Sequence, residues 1–175
     1  MKAPFSALWR PNGEAIIIPS RNDLSLKKET PMPTTLNPYL GFRDNAKEAM
    51  EFYQSVFGGE LTMSRYADFG MNEGPEEADK IMHAQLVAPG GLALMAADTP
   101  NSMPFNPGDN FSVSLSGRDV EELTGYWQKL SEGATIFSPL EQAPWGDSFG
   151  QLRDRFGVGW MVNIGGSPEE PTPQS

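Results

Sequence analysis

Residues 145–165, WGDSFGQLRDRFGVGWMVNIG, decide the reading of this fold. Two short runs, 150–153 and 159–164, flank Asp154-Arg155-Phe156-Gly157, and Asp first with Gly last suits a type I turn. The stretch therefore predicts a hairpin. Alternation along its second strand sends Trp160 and Val162 to one face and Met161 and Asn163 to the other. One face is wholly apolar and fit to pack on a helix; the other is mixed and fit to meet a ligand.

Working outward, the pattern before this hairpin occurs twice. Residues 111–116 read as a strand, and Asp119 with Glu122 three positions on caps a helix carrying Val120, Leu123, Tyr126, Trp127 and Leu130. That helix stops at Gly133, and 134–140 is a further strand. Earlier, 35–42 has strand composition, with Pro38 demoting it to an edge or a bulge. Asn45 and Glu48 then open a helix with Ala46, Ala49, Met50, Tyr53, Val56 and Phe57 at three-to-four spacing, stopped by Gly58-Gly59. A strand at 60–67 and a hairpin of 80–88 with 92–97 around Pro89-Gly90-Gly91 complete the first unit.

Asn45 aligns with Asp119, Glu48 with Glu122, Phe52-Tyr53-Gln54 with Tyr126-Trp127-Gln128 and Gly59 with Gly133, each 74 positions apart. A chance helix would not also repeat its cap, its aromatic pair and its stop. The chain thus reads as an α+β protein of duplicated βαβββ modules, 35–99 and 110–166, within one domain spanning 35–166. Concave mixed sheets enclosing a pocket are expected. Leu92, Leu94, Trp160 and Val162 should face the helices, and Ala93, Met95, Met161 and Asn163 the pocket. The acidic stretch 68–79 reads as solvated surface or a lid.

Composition narrows the function. A net charge of −10 and a pI near 4.5 would repel a polyanion, so neither nucleic acid nor an anionic membrane is an expected partner. There is no cysteine, which removes disulfides, thiolate metal sites and a cysteine nucleophile, and suits a cytoplasmic location. His83 is the sole histidine, so no pair of imidazoles within one chain can build a dyad or a metal cage. No apolar run reaches the ~18 residues of a membrane span. Residues 1–34 differ from the rest: five basic residues stand against three acidic, with prolines at 4, 11, 19, 31 and 33. They read as a poorly ordered extension, with Met32 as the natural initiator, and 167–175 as a disordered tail.

With those elements placed, YLGFRDNAKEAMEFYQSVFGGEL from Tyr39, MHAQL around His83 and WGDSFGQLRDRFGVGWMVN from Trp145 resemble a known family. The chain resembles the PhnB-like proteins of the vicinal oxygen chelate superfamily, the glyoxalase, bleomycin-resistance and dioxygenase group. This domain also carries the label 3-demethylubiquinone 3-methyltransferase. The resemblance covers about residues 35–165 and implies paired βαβββ modules and a homodimer. It leaves the reaction open, because the superfamily hosts lyases, isomerases, oxygenases, transferases and pure binders.

Metal-dependent relatives hold a divalent ion with His, Gln or Glu from the first and last strands of both modules. The matching positions here read as Pro38, Ser112, Met161, and Ala93 or Met95, none of which suits such an ion. No metal and no cofactor is expected; ligands relocated to His83, Gln85, Asp98 or Asn163 are the alternative. His83 itself reads as a strand histidine bonded to backbone, as a pocket donor or acid/base, or as a metal ligand. Gln85 and Gln151, on matching strands, read as a cross-sheet bridge or as amides for a ligand carbonyl. Trp145 is a wall or a stacking platform at the mouth. Asp154 is explained by its turn and Asp98 by capping or a rim contact.

The reading carried forward is a binder of a small, partly apolar organic ligand, with His83, Gln85, Met95, Trp145, Gln151, Met161 and Asn163 lining the site. A metal-dependent lyase, isomerase or dioxygenase with relocated ligands is the alternative. A methyltransferase, by inherited label, is third, because no Gly-rich strand-to-helix turn is present to cradle a nucleotide-like methyl donor.

Overall fold

The computed structural model describes residues 5–9, 15–19 and 34–165. Within the extension, β1 (Phe5–Trp9) and β2 (Ala15–Pro19) pair antiparallel, as the β-branched run Ile16-Ile17-Ile18 favours. Residues 1–4, 10–14 and 20–33, Met32 included, and the tail lie outside the described residues. Residues 1–36 and 37–175 form two separate compact units.

The second unit carries the duplication. Its first module runs β3 (Tyr39–Phe42), α1 (Ala46–Phe57), β4 (Glu60–Arg65), β5 (Ile81–Val87) and β6 (Ala93–Asp98). The second runs β7 (Val113–Gly117), α2 (Val120–Leu130), β8 (Thr135–Gln142), β9 (Ser148–Arg153) and β10 (Gly159–Ile164). The sheet orders are β3-β6-β5-β4 and β7-β10-β9-β8, so in both the first strand lies parallel to the last. The two sheets have one topology, as duplicated βαβββ modules require.

Alternation sorts the faces as the sequence pattern demands. Leu94, Trp160 and Val162 are buried on the helix side, whereas Ala93, Met95, Met161 and Asn163 are half-buried on the opposite face. Leu92, placed with the first group by the pattern, precedes β6 and is half-buried. One core serves both modules. Trp160 is fully buried, with its ring centroid 5.5 Å from those of Tyr53 and Phe57 on α1. Since α1 also packs on β4, β5 and β6, it lies between the helix-facing sides of both sheets. Each sheet therefore turns its open face away from this shared layer.

The β9–β10 turn closes through Gly157 N–H to the Asp154 carbonyl at 3.0 Å, and Gly157 has φ 87°, a conformation costly for residues with a Cβ. Asp154 does more than the turn asked of it. Buried, it accepts hydrogen bonds from the Phe156 and Val158 backbone N–H groups, the Tyr53 hydroxyl at 2.7 Å and the Trp160 indole at 2.8 Å. Burial, and then the neighbouring Asp154 carboxylate, push the Tyr53 phenol well above its ordinary pKa.

The helix caps differ from one another. Asp119 accepts from Glu122 N–H at 3.0 Å, as its position predicts. Asn45 makes no side-chain cap bond; Asp98, arriving at the end of β6, takes Ala46 N–H at 3.0 Å instead. Its other oxygen accepts Ile81 N–H at 2.9 Å, so a single buried carboxylate closes a helix end and a strand start.

Candidate functional site

The open face of the first sheet is built in rows by the strand register. Tyr39 pairs with Met95, Met95 with Gln85 and Gln85 with Thr62, so one row crosses all four strands. His83 lies two residues before Gln85 on the same face, opposite Ser64. The Tyr39 hydroxyl is 3.3 Å from His83 Nδ1, with the two ring centroids 5.9 Å apart. His83 thus pairs with a phenol rather than with backbone. A Cβ placed on Gly41 would lie 3.9 Å from Phe105 Cε2, so this ring, from the connector after β6, leans over the same face. Arg43 holds that connector by donating to the Pro100 and Met103 carbonyls, and its guanidinium stands 5.4 Å from the Phe105 ring centre.

The second sheet repeats the central row. Ser114 pairs with Met161, Met161 with Gln151 and Gln151 with Ser138. A methionine beside a glutamine therefore occupies the middle of both open faces. Neither glutamine amide has a partner among the described residues, and neither is a buried unsatisfied group, so both present free donors and acceptors outward. Within the chain no hydrogen bond joins Gln85 to Gln151, the first of the two readings of this pair. Asn163 donates to Asp147 at 2.8 Å on the next row, opposite Phe149. Trp145 stays 63% exposed, its ring edge-on to Phe149 at 5.8 Å, rather than walled into the core.

The start of each first strand bears on the divalent-ion positions read from the sequence. Pro38 and Ser112 precede their strands; the residues on the open faces of the first strands are Tyr39 and Ser114. With Met95 and Met161 they make a set of one phenol, one hydroxyl and two thioethers. That set does not fit a hard or borderline divalent ion, which takes imidazole or carboxylate. The relocated set does not fit either. Both Asp98 oxygens are spent on buried backbone N–H groups and the Asn163 amide on Asp147, which leaves one imidazole and one neutral amide. Among the described residues no three His, Asp or Glu side chains come together as a metal cluster.

The acidic stretch 68–79 is pinned down. Lys80, its side chain only 6% exposed, binds Asp44 at 3.0 Å, Glu77 at 3.2 Å and Asn101 at 2.6 Å. Burial works against the ammonium, yet its hydrogen bonds to the Asp44 and Glu77 carboxylates prevail and hold it above the ordinary lysine value. Glu77 in turn accepts Asn101 N–H at 2.6 Å, which with Lys80 holds its carboxyl below the usual range. The loop is thereby tied to the connector that carries Phe105.

Tyr39 and Phe105 are members of the first face that sequence reasoning passed over. Alternation with the buried Leu40 and Phe42 could have found Tyr39; nothing local to Phe105 points to its place.

Residues 34–163 match the 3-demethylubiquinone-9 3-methyltransferase family. The chain belongs to this PhnB-like family. The protein PA1353 from Pseudomonas aeruginosa is 38% identical, with a TM-score of 0.65 over 75% of this chain and 98% of that one. A PhnB protein from Bacillus cereus is 27% identical, with a TM-score of 0.62 over 75% of this chain and all of its own. A glyoxylase/bleomycin resistance protein/dioxygenase domain from Frankia sp. is 19% identical, with a TM-score of 0.55 over 79% of this chain and 96% of its own, and shares the fold alone. The PhnB-like chain thus has the vicinal oxygen chelate fold. None of its described helices is long and apolar enough to cross a membrane.

Proposed function

We propose that this PhnB-like protein is a binder of a small, partly apolar organic molecule, without a family-type metal and with its reaction unassigned. The observation that carries the reading is the matched pair of rows, each with a methionine beside a glutamine whose amide is unspent. Thioether walls are polarisable and adapt to varied apolar shapes, while free amides orient a ligand through its carbonyl or hydroxyl groups. His83 joins the first face, and Trp145 with Asn163 the second.

Because the two open faces turn away from the shared helical layer, the pocket is closed between chains. The first face of one copy and the second face of another supply its walls, so the homodimer is the binding unit. The outer edges of β3 and β7, unpaired among the described strands, and the exposed Tyr39 and Phe111 support that arrangement. A cytoplasmic location accords with the cysteine-free chain.

Nile red, a neutral apolar dye with a carbonyl group, tests the binder, and light scattering tests the dimer. Saturable dye emission is expected, weakened about tenfold or more by Met95→Glu or Met161→Glu, because a carboxylate on the wall opposes apolar contact by well over 1.4 kcal/mol. The particle mass is expected at twice the 19.2 kDa of one chain. Dye emission indifferent to both substitutions would remove the open faces from the function.

A further inference from the structure

The Tyr39–His83 contact says more than that two polar residues are neighbours. A neutral imidazole has one donor and one acceptor nitrogen, and whichever role one takes fixes the other. Tyr39 Oη stands 3.3 Å from Nδ1 and has no other partner among the described residues. If the phenol spends its proton there, Nδ1 is the acceptor and Nε2 carries the hydrogen. Nε2 has no partner among the described residues, and it is not among the buried unsatisfied atoms. It reaches the open space over the first sheet.

Its surroundings define what could accept that hydrogen. Gln85 follows on the same strand face, Met95 pairs with both Tyr39 and Gln85, and the Phe105 ring leans over Gly41. A donor N–H therefore sits beside an apolar, partly aromatic floor. We propose that Tyr39 is a positioning residue that locks His83 as the Nε2–H tautomer, and that this N–H recognises an oxygen acceptor, carbonyl or carboxylate, on a ring-bearing ligand. The inference rests on the ligand-binding reading of the open faces, but its first half concerns the free protein.

Because the chain has one histidine, a long-range proton–nitrogen correlation spectrum reads this ring without ambiguity. Taken two units above the ordinary imidazole value of ~6.5, the wild-type spectrum is expected to show Nδ1 as the bare nitrogen and Nε2 as the protonated one. Tyr39→Phe, which keeps the ring and loses the hydroxyl, is expected to shift the population toward the other tautomer. Benzamide and benzoate then serve as the carbonyl and carboxylate probes, and benzylamine as a ring without an acceptor oxygen. Saturable shifts at His83 and the Met95 methyl are expected with benzamide, benzoate or both, and the stronger of the two identifies the oxygen type. His83→Leu should weaken that binding about tenfold or more and Tyr39→Phe about threefold, whereas His83→Gln, whose amide N–H reaches a place close to Nε2–H, should retain most of it.

A wild-type ring protonated at Nδ1, equal binding of benzylamine and benzamide, or no saturable shift with either oxygen probe overturns the proposal. The Nile red result is independent of all three, so a failed His83 assignment and a failed binding function can be told apart. Unfolding midpoints of the variants close to the wild type confirm that a lost shift reports the site rather than the fold.

Discussion

Helices α1 and α2 come from matching positions of the two modules and end in different surroundings. On α1 seven of twelve residues are buried, Phe52, Tyr53 and Phe57 among them; on α2 only Leu123, Trp127 and Leu130 are, and Val120 is 62% exposed. The cause is location. α1 lies between both sheets and must be apolar around most of its circumference, whereas α2 covers one sheet and keeps a solvent stripe. Duplication copied the period, and packing then decided how much of it each copy uses.

The matching aromatic positions show the same divergence. Tyr53 reaches out of its own module to the buried Asp154, so the phenol joins the halves. Trp127, its counterpart, lies so close over β9 that a Cβ on Gly150 would come within 2.8 Å of its ring. The paired position in the first sheet holds Ala84, fully buried and carrying the methyl group that Gly150 lacks. The largest predicted effect follows from this asymmetry. Asp154→Ala strands the Tyr53 hydroxyl and the Trp160 indole in the core and takes the acceptor from two half-buried backbone N–H groups, and urea unfolding should show a loss of about 3–5 kcal/mol. A loss under about 1 kcal/mol would mean that the two halves are held by apolar packing alone.

The caps sharpen the comparison at smaller scale. Asp98 serves α1 from a neighbouring strand and is 3% exposed; Asp119 serves α2 from its own chain position at the surface. Asp98→Ala leaves two buried N–H groups without acceptors and is expected to cost about 2–4 kcal/mol. Asp119→Ala removes one solvent-accessible cap and is expected to cost about 1 kcal/mol. Equal costs in parallel denaturation curves would contradict the assignment of Asp98 as a buried staple.

These residues also mark how far the sequence could be read. The modules, the helix spans and the inward and outward sorting of β6 and β10 were legible, because period and alternation are local. Asp119 was legible as a cap for the same reason. Asp98 was placed only as a cap or a rim contact, because its helix lies more than fifty residues upstream and the register that brings it there is tertiary. Asp154 looked complete as a turn residue, and nothing local shows that Tyr53 arrives from the other half. The first strands begin at Tyr39 and Val113, one residue beyond Pro38 and Ser112, since counting from a helix cannot fix where a strand begins. Phe105 was invisible because connectors carry no period.

The smallest effect tests the peripheral helix itself. Gly125 sits in the middle of α2, where a glycine leaves the helix weaker than an alanine by about 0.5–1 kcal/mol. A Cβ added there meets nothing within 4 Å, because the position belongs to the face α2 turns away from its sheet. Gly125→Ala should therefore raise the unfolding free energy by about that amount, through the smaller freedom of the unfolded chain. It should leave Nile red binding and the dimer mass unchanged, since both are assigned to the opposite side of the second sheet. Stabilisation with an intact dimer fits a solvent-facing stripe. A weakened dimer would place the second copy against α2, and the pocket would then have to be assembled from a different pair of surfaces.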